Sequence, residues 1–220
     1  MNLEARLTEA RILCAATLEN PESSVPFARA LELAGLQIME VPLRRELALE
    51  YVRRIADEVP GMSVGVGTLL RPEQITAAIA AGAKFGVTPG FNPKVIRFAL
   101  NAGFPLVAGV YTPGEMEQAL ELGCRVIKWF PAEAGGGIRF LNSITGPYFH
   151  TGLRIIPFGG IGPSNLATYL AHPLVAAVGG SWLADAKLIA TANWSEIGFR
   201  VRQSLAAAKA AARSRPSNSI

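Results

Sequence analysis

The chain has 220 residues, half of them apolar and only 17% charged, which excludes a disordered polyelectrolyte and suffices for one buried core without disulfide or metal staples. The formal charge of +4 invites a nucleic-acid reading, but Arg200, Arg202, Lys209, Arg213 and Arg215 all follow Glu196 with no acid among them. Without these five the chain is close to neutral, so the expectation is a solvated basic helix end and no nucleic-acid partner.

Cys14 and Cys124 lie far apart, each in or beside an apolar run, as reduced core thiols of a cytoplasmic protein would. Glu4, Arg6 and Glu9 precede any apolar stretch, so no signal peptide is expected, and no run approaches the roughly 18 apolar residues of a membrane span. His150 and His172 are the only histidines and both sit beside turn-forming residues, which argues against a zinc site.

A short polar N-terminal helix comes first, and strand-length apolar runs then alternate with helix-period segments. Strands are expected at 12–16, 36–41, 63–66 and 85–88, with helices at 24–34, 45–58 and 72–81 between them. A helix at 93–102 leads to strands at 105–108 and 125–130, separated by a helix at 113–122. The last strands are expected at 154–158 and 175–178 around a helix at 163–170, followed from about Ala184 by one long alanine-rich helix and a frayed tail at 213–220. Several helices open on proline, and Gly35, Gly82, Gly103 and Gly123 close four of them, as helix ends prefer. Eight strand–helix units with short links predict an α/β fold, a single (β/α)8 barrel spanning 1–220 as one domain. An open doubly wound sheet is disfavoured because Ala15-Ala16-Thr17-Leu18 carries no glycine fingerprint after the first strand.

Side chains alternate across a strand, so in the sixth strand Val126, Lys128 and Phe130 share one face and Ile127 and Trp129 the other. Lys128 is therefore expected to point into the barrel. In the second strand the same rule puts Glu40 inward with Ile38, and even-numbered strands contribute to a common layer, so the two charges meet across the lumen. A desolvated amine with Arg44 nearby is a nucleophile for a ketone, and Glu40 is placed to shuttle protons. A buried structural ion pair is the alternative reading of this spacing. Gly159-Gly160-Ile161-Gly162 and Gly179-Gly180-Ser181 are expected as turns after strands seven and eight, where many barrels hold phosphate on backbone N–H groups. Thr68 and Thr88-Pro89-Gly90 end strands three and four on the same face, either as site residues or as ordinary turn chemistry.

Glu40-Val41-Pro42-Leu43-Arg44, Gly65-Val66-Gly67-Thr68, Thr88-Pro89-Gly90, Lys128-Trp129-Phe130-Pro131-Ala132-Glu133, Phe158-Gly159-Gly160-Ile161 and Val178-Gly179-Gly180-Ser181-Trp182-Leu183 together resemble the 2-keto-3-deoxy-6-phosphogluconate (KDPG) aldolase and 4-hydroxy-2-oxoglutarate aldolase family. The resemblance implies a class I aldolase, a homotrimer needing no metal or other cofactor, that cleaves KDPG to pyruvate and glyceraldehyde 3-phosphate. It implies that Lys128 forms the Schiff base and Glu40 is the general acid/base, with Arg44 and Thr68 on the pyruvate carboxylate. Pro89 and Phe130 would then line the pocket, and Gly159, Gly160, Gly180 and Ser181 form the phosphate end. Two positions depart from the gluconate pattern: Phe158 replaces a threonine before the Gly-Gly-Ile turn, and Pro42 replaces a threonine after Glu-Val. A phenyl ring donates no hydrogen bond, so a galactonate epimer or an unphosphorylated 2-keto acid is the alternative substrate, and neutral packing the alternative reading of Phe158.

Overall fold

Eight parallel strands alternating with helices make up the computed structural model, which describes residues 2–213. The helix α1 (Leu3–Ala10) precedes β1 (Ile12–Ala15), α2 (Pro21–Leu33), β2 (Ile38–Pro42), α3 (Ala48–Glu58), β3 (Ser63–Gly67), α4 (Pro72–Ala80) and β4 (Gly86–Val87). The second half runs α5 (Pro93–Asn101), β5 (Leu106–Val110), α6 (Pro113–Glu121), β6 (Val126–Trp129), α7 (Gly137–Thr145), β7 (Arg154–Pro157), α8 (Leu166–Ala171), β8 (Val178–Gly180), α9 (Ala186–Ala190) and α10 (Trp194–Arg213). From β1 to β7 each strand pairs with its sequence neighbour, β1 also pairs with β8, and isolated bridges from Ile155 to Val175 and from Phe158 to Gly179 close the ring into a (β/α)8 barrel.

Local chemistry explains why the helices stop and start where they do. After α2, α4, α5 and α6, the residues Gly35, Gly82, Gly103 and Gly123 all take positive φ. Behind each, the next N–H returns to the carbonyl five residues back, as from Leu36 to Leu31 at 2.9 Å and from Cys124 to Ala119 at 2.9 Å, which satisfies carbonyls the helix leaves open. At the other ends Asn20 and Asn92 accept from the first-turn N–H groups of α2 and α5, and Thr112 with Glu115 forms a reciprocal cap on α6.

Three expectations need correction. The eighth strand is Val178–Gly180 rather than 175–178, and Val175 forms an isolated bridge to Ile155 ahead of it. Gly179 and Gly180 are thus strand residues aligned with Leu13 and Cys14, not a turn. The long C-terminal helix is broken into α9 and α10, because Ala192 takes a φ of 51° and Asn193 caps the Glu196 N–H at 3.2 Å. Of the tail expected at 213–220, Arg213 ends α10 and the remainder lies outside the described residues.

Residues aligned across parallel strands point to the same face, so register defines the lumen. Glu40 aligns with Gly65, and Gly109 with Lys128 and then Ile156. On the opposite face of β6, Trp129 stacks on Tyr111 and on Phe140 of α7. The lumen is filled by pairing large side chains with glycines: a methyl group on Gly65 would lie 2.4 Å from the Phe85 ring. At the N-terminal mouth α1 lies against the strand starts, with Leu7 fully buried and Glu4 3.6 Å from Arg154, beside a cavity of ≈ 530 Å³ lined by Arg6, Lys84 and Arg125. The charged pair of interest lies toward the other mouth. Gly65→Ala is expected to lose about 1–3 kcal/mol of unfolding free energy by overpacking against Phe85, read by urea denaturation.

Candidate active site

Lys128 and Glu40 are both buried, 7% and 2% exposed, Lys128 in the C-terminal half of β6 and Glu40 at the centre of β2. Burial draws each toward its neutral form: the amine is pushed below its ordinary value of 10.5, and the carboxyl above its ordinary value of 4.5. Mutual attraction partly opposes both shifts, and the Arg44 charge works with burial on the lysine and against it on the glutamate. Among the described residues Lys128 makes no direct ion pair with Glu40, and Glu40 Oε2 is buried without a hydrogen-bond partner. An acceptor left open in this way suits an incoming hydroxyl or water.

The space for that carboxylate comes from Gly67. A methyl there would sit 2.8 Å from Glu40 Oε2 and 3.0 Å from its Cδ, so any larger residue displaces the group. The next residue, Thr68, takes a φ of 60° and accepts a 3.4 Å hydrogen bond from Arg44 Nε. The exposed Arg44 and the half-buried Thr68 thereby form a polar edge on one side of the mouth. On the other side two rings face the lysine, with centroids 5.3 Å (Phe130) and 4.2 Å (Phe158) from Nζ.

Pro89 reaches the rim because Gly109 lets the chain after β4 come close. A methyl on Gly109 would lie 2.5 Å from the backbone of Thr88, Pro89 and Gly90, and the Gly109 N–H donates to Thr88 Oγ1 at 2.7 Å. Gly109 is aligned with Lys128, so this segment meets the lumen at the lysine's level.

Gly159 and Gly160 take φ of 94° and 79°, in the left-handed region that favours glycine. The turn they make is pinned by Glu133 N–H to the Gly159 carbonyl at 3.0 Å, and by Asn165, which donates to the Gly160 carbonyl and accepts from the Gly162 N–H. Tyr169 holds the Glu133 carboxylate through its hydroxyl. Gly180 adjoins this turn, since a methyl on it would be 3.4 Å from the Ile161 carbonyl oxygen, and the exposed Ser181 follows. Among the described residues the backbone N–H groups of Gly160 and Ile161 donate to no acceptor in the chain.

All the residues singled out in the sequence thus fall at the C-terminal mouth, in two neighbouring groups: Lys128, Glu40, Arg44, Thr68, Pro89, Phe130 and Phe158, and the Gly159–Gly160 turn with Gly180 and Ser181. Sequence reasoning passed over Gly109, which makes room for the Pro89 segment, and took Gly67 and Gly179 as motif and turn residues rather than as the space for Glu40 and Phe158. The alternation that places Glu40 and Lys128 inward also places these glycines inward, so the signal was present. No group of three or more His, Cys, Asp or Glu is placed to hold a metal ion among the described residues. No helix there is long and apolar enough to cross a membrane.

A buried amine facing a buried carboxyl at the C-terminal mouth defines a barrel suited to carbon–carbon bond chemistry through a covalent imine. Comparison with known proteins agrees: the chain belongs to the KDPG and KHG aldolase family, whose model matches residues 3–200, and it is a carbon–carbon lyase. It is 43% identical over 199 residues to a 2-dehydro-3-deoxy-phosphogluconate aldolase of Treponema pallidum, covering 90% of this chain and 94% of that protein. A protein of the same description from Haemophilus influenzae is 40% identical over 198 residues, covering 90% and 92%. Among solved structures, the KDPG aldolase of Legionella pneumophila, with pyruvate captured as a covalent carbinolamine, superposes with a TM-score of 0.87 at 31% identity, covering 92% of this chain and 97% of that one.

Gly67→Ala should reduce turnover about 100-fold by moving the Glu40 carboxylate, while the far-ultraviolet circular dichroism stays that of the parent. Turnover within a factor of three of the parent would show that the room at Gly67 is not what positions Glu40.

Proposed function

We propose that this aldolase cleaves 2-keto-3-deoxy-6-phosphogluconate to pyruvate and glyceraldehyde 3-phosphate through an imine on Lys128. The single observation that carries the reading is the burial of Lys128 and Glu40 together, each drawn toward its neutral form. The free amine attacks the C2 ketone, and Glu40 delivers the proton with which the carbinolamine hydroxyl leaves as water. The resulting iminium withdraws electrons from the C3–C4 bond. Glu40, now a carboxylate, takes the proton of the C4 hydroxyl as that bond breaks, and C4 leaves as the aldehyde carbon. The enamine left on Lys128 is protonated at C3, and water then releases pyruvate and restores the amine.

Arg44 and Thr68 stand at the edge of the mouth where the C1 carboxylate would lie, with a guanidinium and a hydroxyl as its partners. Pro89, on the segment held against Gly109, and Phe130, whose ring centroid is 5.3 Å from Lys128 Nζ, would line the pocket. At the far end the unused N–H groups of Gly160 and Ile161, with Gly180 and the Ser181 hydroxyl alongside, offer the donors that a phosphate requires. Phe158 lies between the amine and this turn in the chain, so a substrate held at both ends runs its C3–C5 carbons past a ring that offers no hydrogen bond. That observation favours a second reading in which the galactonate epimer or 4-hydroxy-2-oxoglutarate is also cleaved.

We also read the active form as a homotrimer of one-domain barrels. Leu70, Ile79, Phe98 and Leu100 are exposed on α4, α5 and the segment before α4, an apolar surface that a neighbouring copy would cover. A cytoplasmic setting suits the buried free thiols of Cys14 and Cys124.

Borohydride added in the presence of pyruvate should fix a three-carbon adduct on Lys128, located by peptide mass spectrometry; an unmodified Lys128 in inactivated enzyme contradicts the mechanism. Cleavage rates for the gluconate phosphate, the galactonate phosphate and 4-hydroxy-2-oxoglutarate then settle the substrate. The gluconate phosphate should have the highest kcat/KM, with the galactonate epimer within about 100-fold of it, as expected where the C4 hydroxyl finds no dedicated partner.

A further inference from the structure

The aromatic surroundings of Lys128 are fixed before any substrate arrives. The Phe158 centroid lies 4.2 Å from Nζ and the Phe130 centroid 5.3 Å, both inside the roughly 6 Å over which a ring face attracts a cation. Phe130 is 38% exposed, whereas Phe158 is 4% exposed. The Phe158 N–H donates to the Trp129 carbonyl at 2.9 Å, and its own carbonyl accepts from the Ala132 N–H at 2.7 Å. Its ring takes the space that a side chain at position 179 would need: a methyl on Gly179 would lie 2.0 Å from two ring carbons. Backbone and barrel wall together therefore hold the ring on the lysine.

We propose that Phe158 is a catalytic residue of this enzyme, the face of its ring stabilising the cationic nitrogen of the protonated imine formed on Lys128. The inference rests on Lys128 being the imine-forming lysine. When the carbinolamine loses water, its nitrogen lone pair forms the C=N bond and the positive charge appears on Nζ, in a site that has little water to receive it. Among the described residues Glu40 on β2 is the carboxylate that acts on Lys128, and Arg44 beyond that strand is a like charge. At the level of Lys128, β5 and β7 present only Gly109 and Ile156. Glu40 changes its own charge as it gives and takes protons through the cycle, so it is not a constant counter-charge. The quadrupole of a fixed ring is constant, and it favours the ammonium and the iminium over the neutral amine and the enamine.

Graded fluorination separates this effect from packing. Full-length enzyme is prepared with mono-, di- or trifluorophenylalanine at position 158 alone, which preserves ring shape while draining negative potential from its face. The borohydride-trapped fraction at a fixed, subsaturating pyruvate concentration, read at a pH above the acid limb where the free amine is neutral, and the acid limb of the trapping rate against pH are measured. The imine equilibrium should fall stepwise, by about threefold to tenfold for the trifluorinated ring. Weaker support for the ammonium should move the acid limb down by about half to one pH unit. Phe158→Leu should do at least as much as the trifluorinated ring. A trapped fraction and acid limb that stay flat across the fluorinated series, with Lys128 still trapped, overturn the role of Phe158 and leave the imine mechanism standing. Failure to trap Lys128 in the unsubstituted enzyme overturns both.

Discussion

A lysine and a glutamate buried in one barrel lumen without a contact ion pair impose most of the surrounding structure. Removing Lys128 and Glu40 from water penalises the charged form of each, and the missing contact ion pair leaves that penalty only partly offset. Such a pair is a poor stabiliser, and losing one partner of a buried pair commonly costs about 3–5 kcal/mol. What the arrangement supplies is chemical. Burial favours a free amine and a protonated carboxyl, the forms needed to attack a ketone and to expel its oxygen as water.

The rest of the lumen is arranged around these groups by subtraction. Gly67 leaves room for the Glu40 carboxylate, Gly109 for the Pro89 segment and Gly179 for the Phe158 ring, while Gly65 accommodates Phe85 deeper in the barrel. Each glycine lies on the strand next to the group it admits, so the wall rather than the loops sets the positions. The two mouths then differ in kind: α1 packs over the N-terminal one, whereas the C-terminal one carries the turns with their unused N–H groups. This division is the usual one for the fold, with stability at one end and chemistry at the other.

Much of this was legible in the sequence because the informative residues act through local rules. Proline at helix starts and glycine at helix ends mark the helices, and the period of two in β2 and β6 alone turns Glu40 and Lys128 inward. The rest depended on contacts distant in sequence. The strand β8 ends in two glycines, which have no side chains to signal burial and read as a turn, yet Gly179 is in the sheet with Phe158 resting on it. The helix α7 follows a glycine run that reads as loop, and the break before α10 turns on one positive φ at Ala192 that composition does not reveal. Phe158 itself was visible as a departure from the family pattern, but its face-on approach to the lysine arises only when β6, β7 and β8 come together.

The central claim is that burial in this lumen, moderated by Glu40, holds the Lys128 amine ready to react. Its most direct test is titration of that one amine, followed by nuclear magnetic resonance of ε-13C-labelled lysine in the parent and in Glu40→Gln, with Lys128→Arg to assign the signal. The midpoint should lie below the ordinary 10.5 in the parent and lower still in Glu40→Gln, because the carboxylate is the charge that supports the ammonium. A Lys128 midpoint at 10.5 in both proteins would contradict the account.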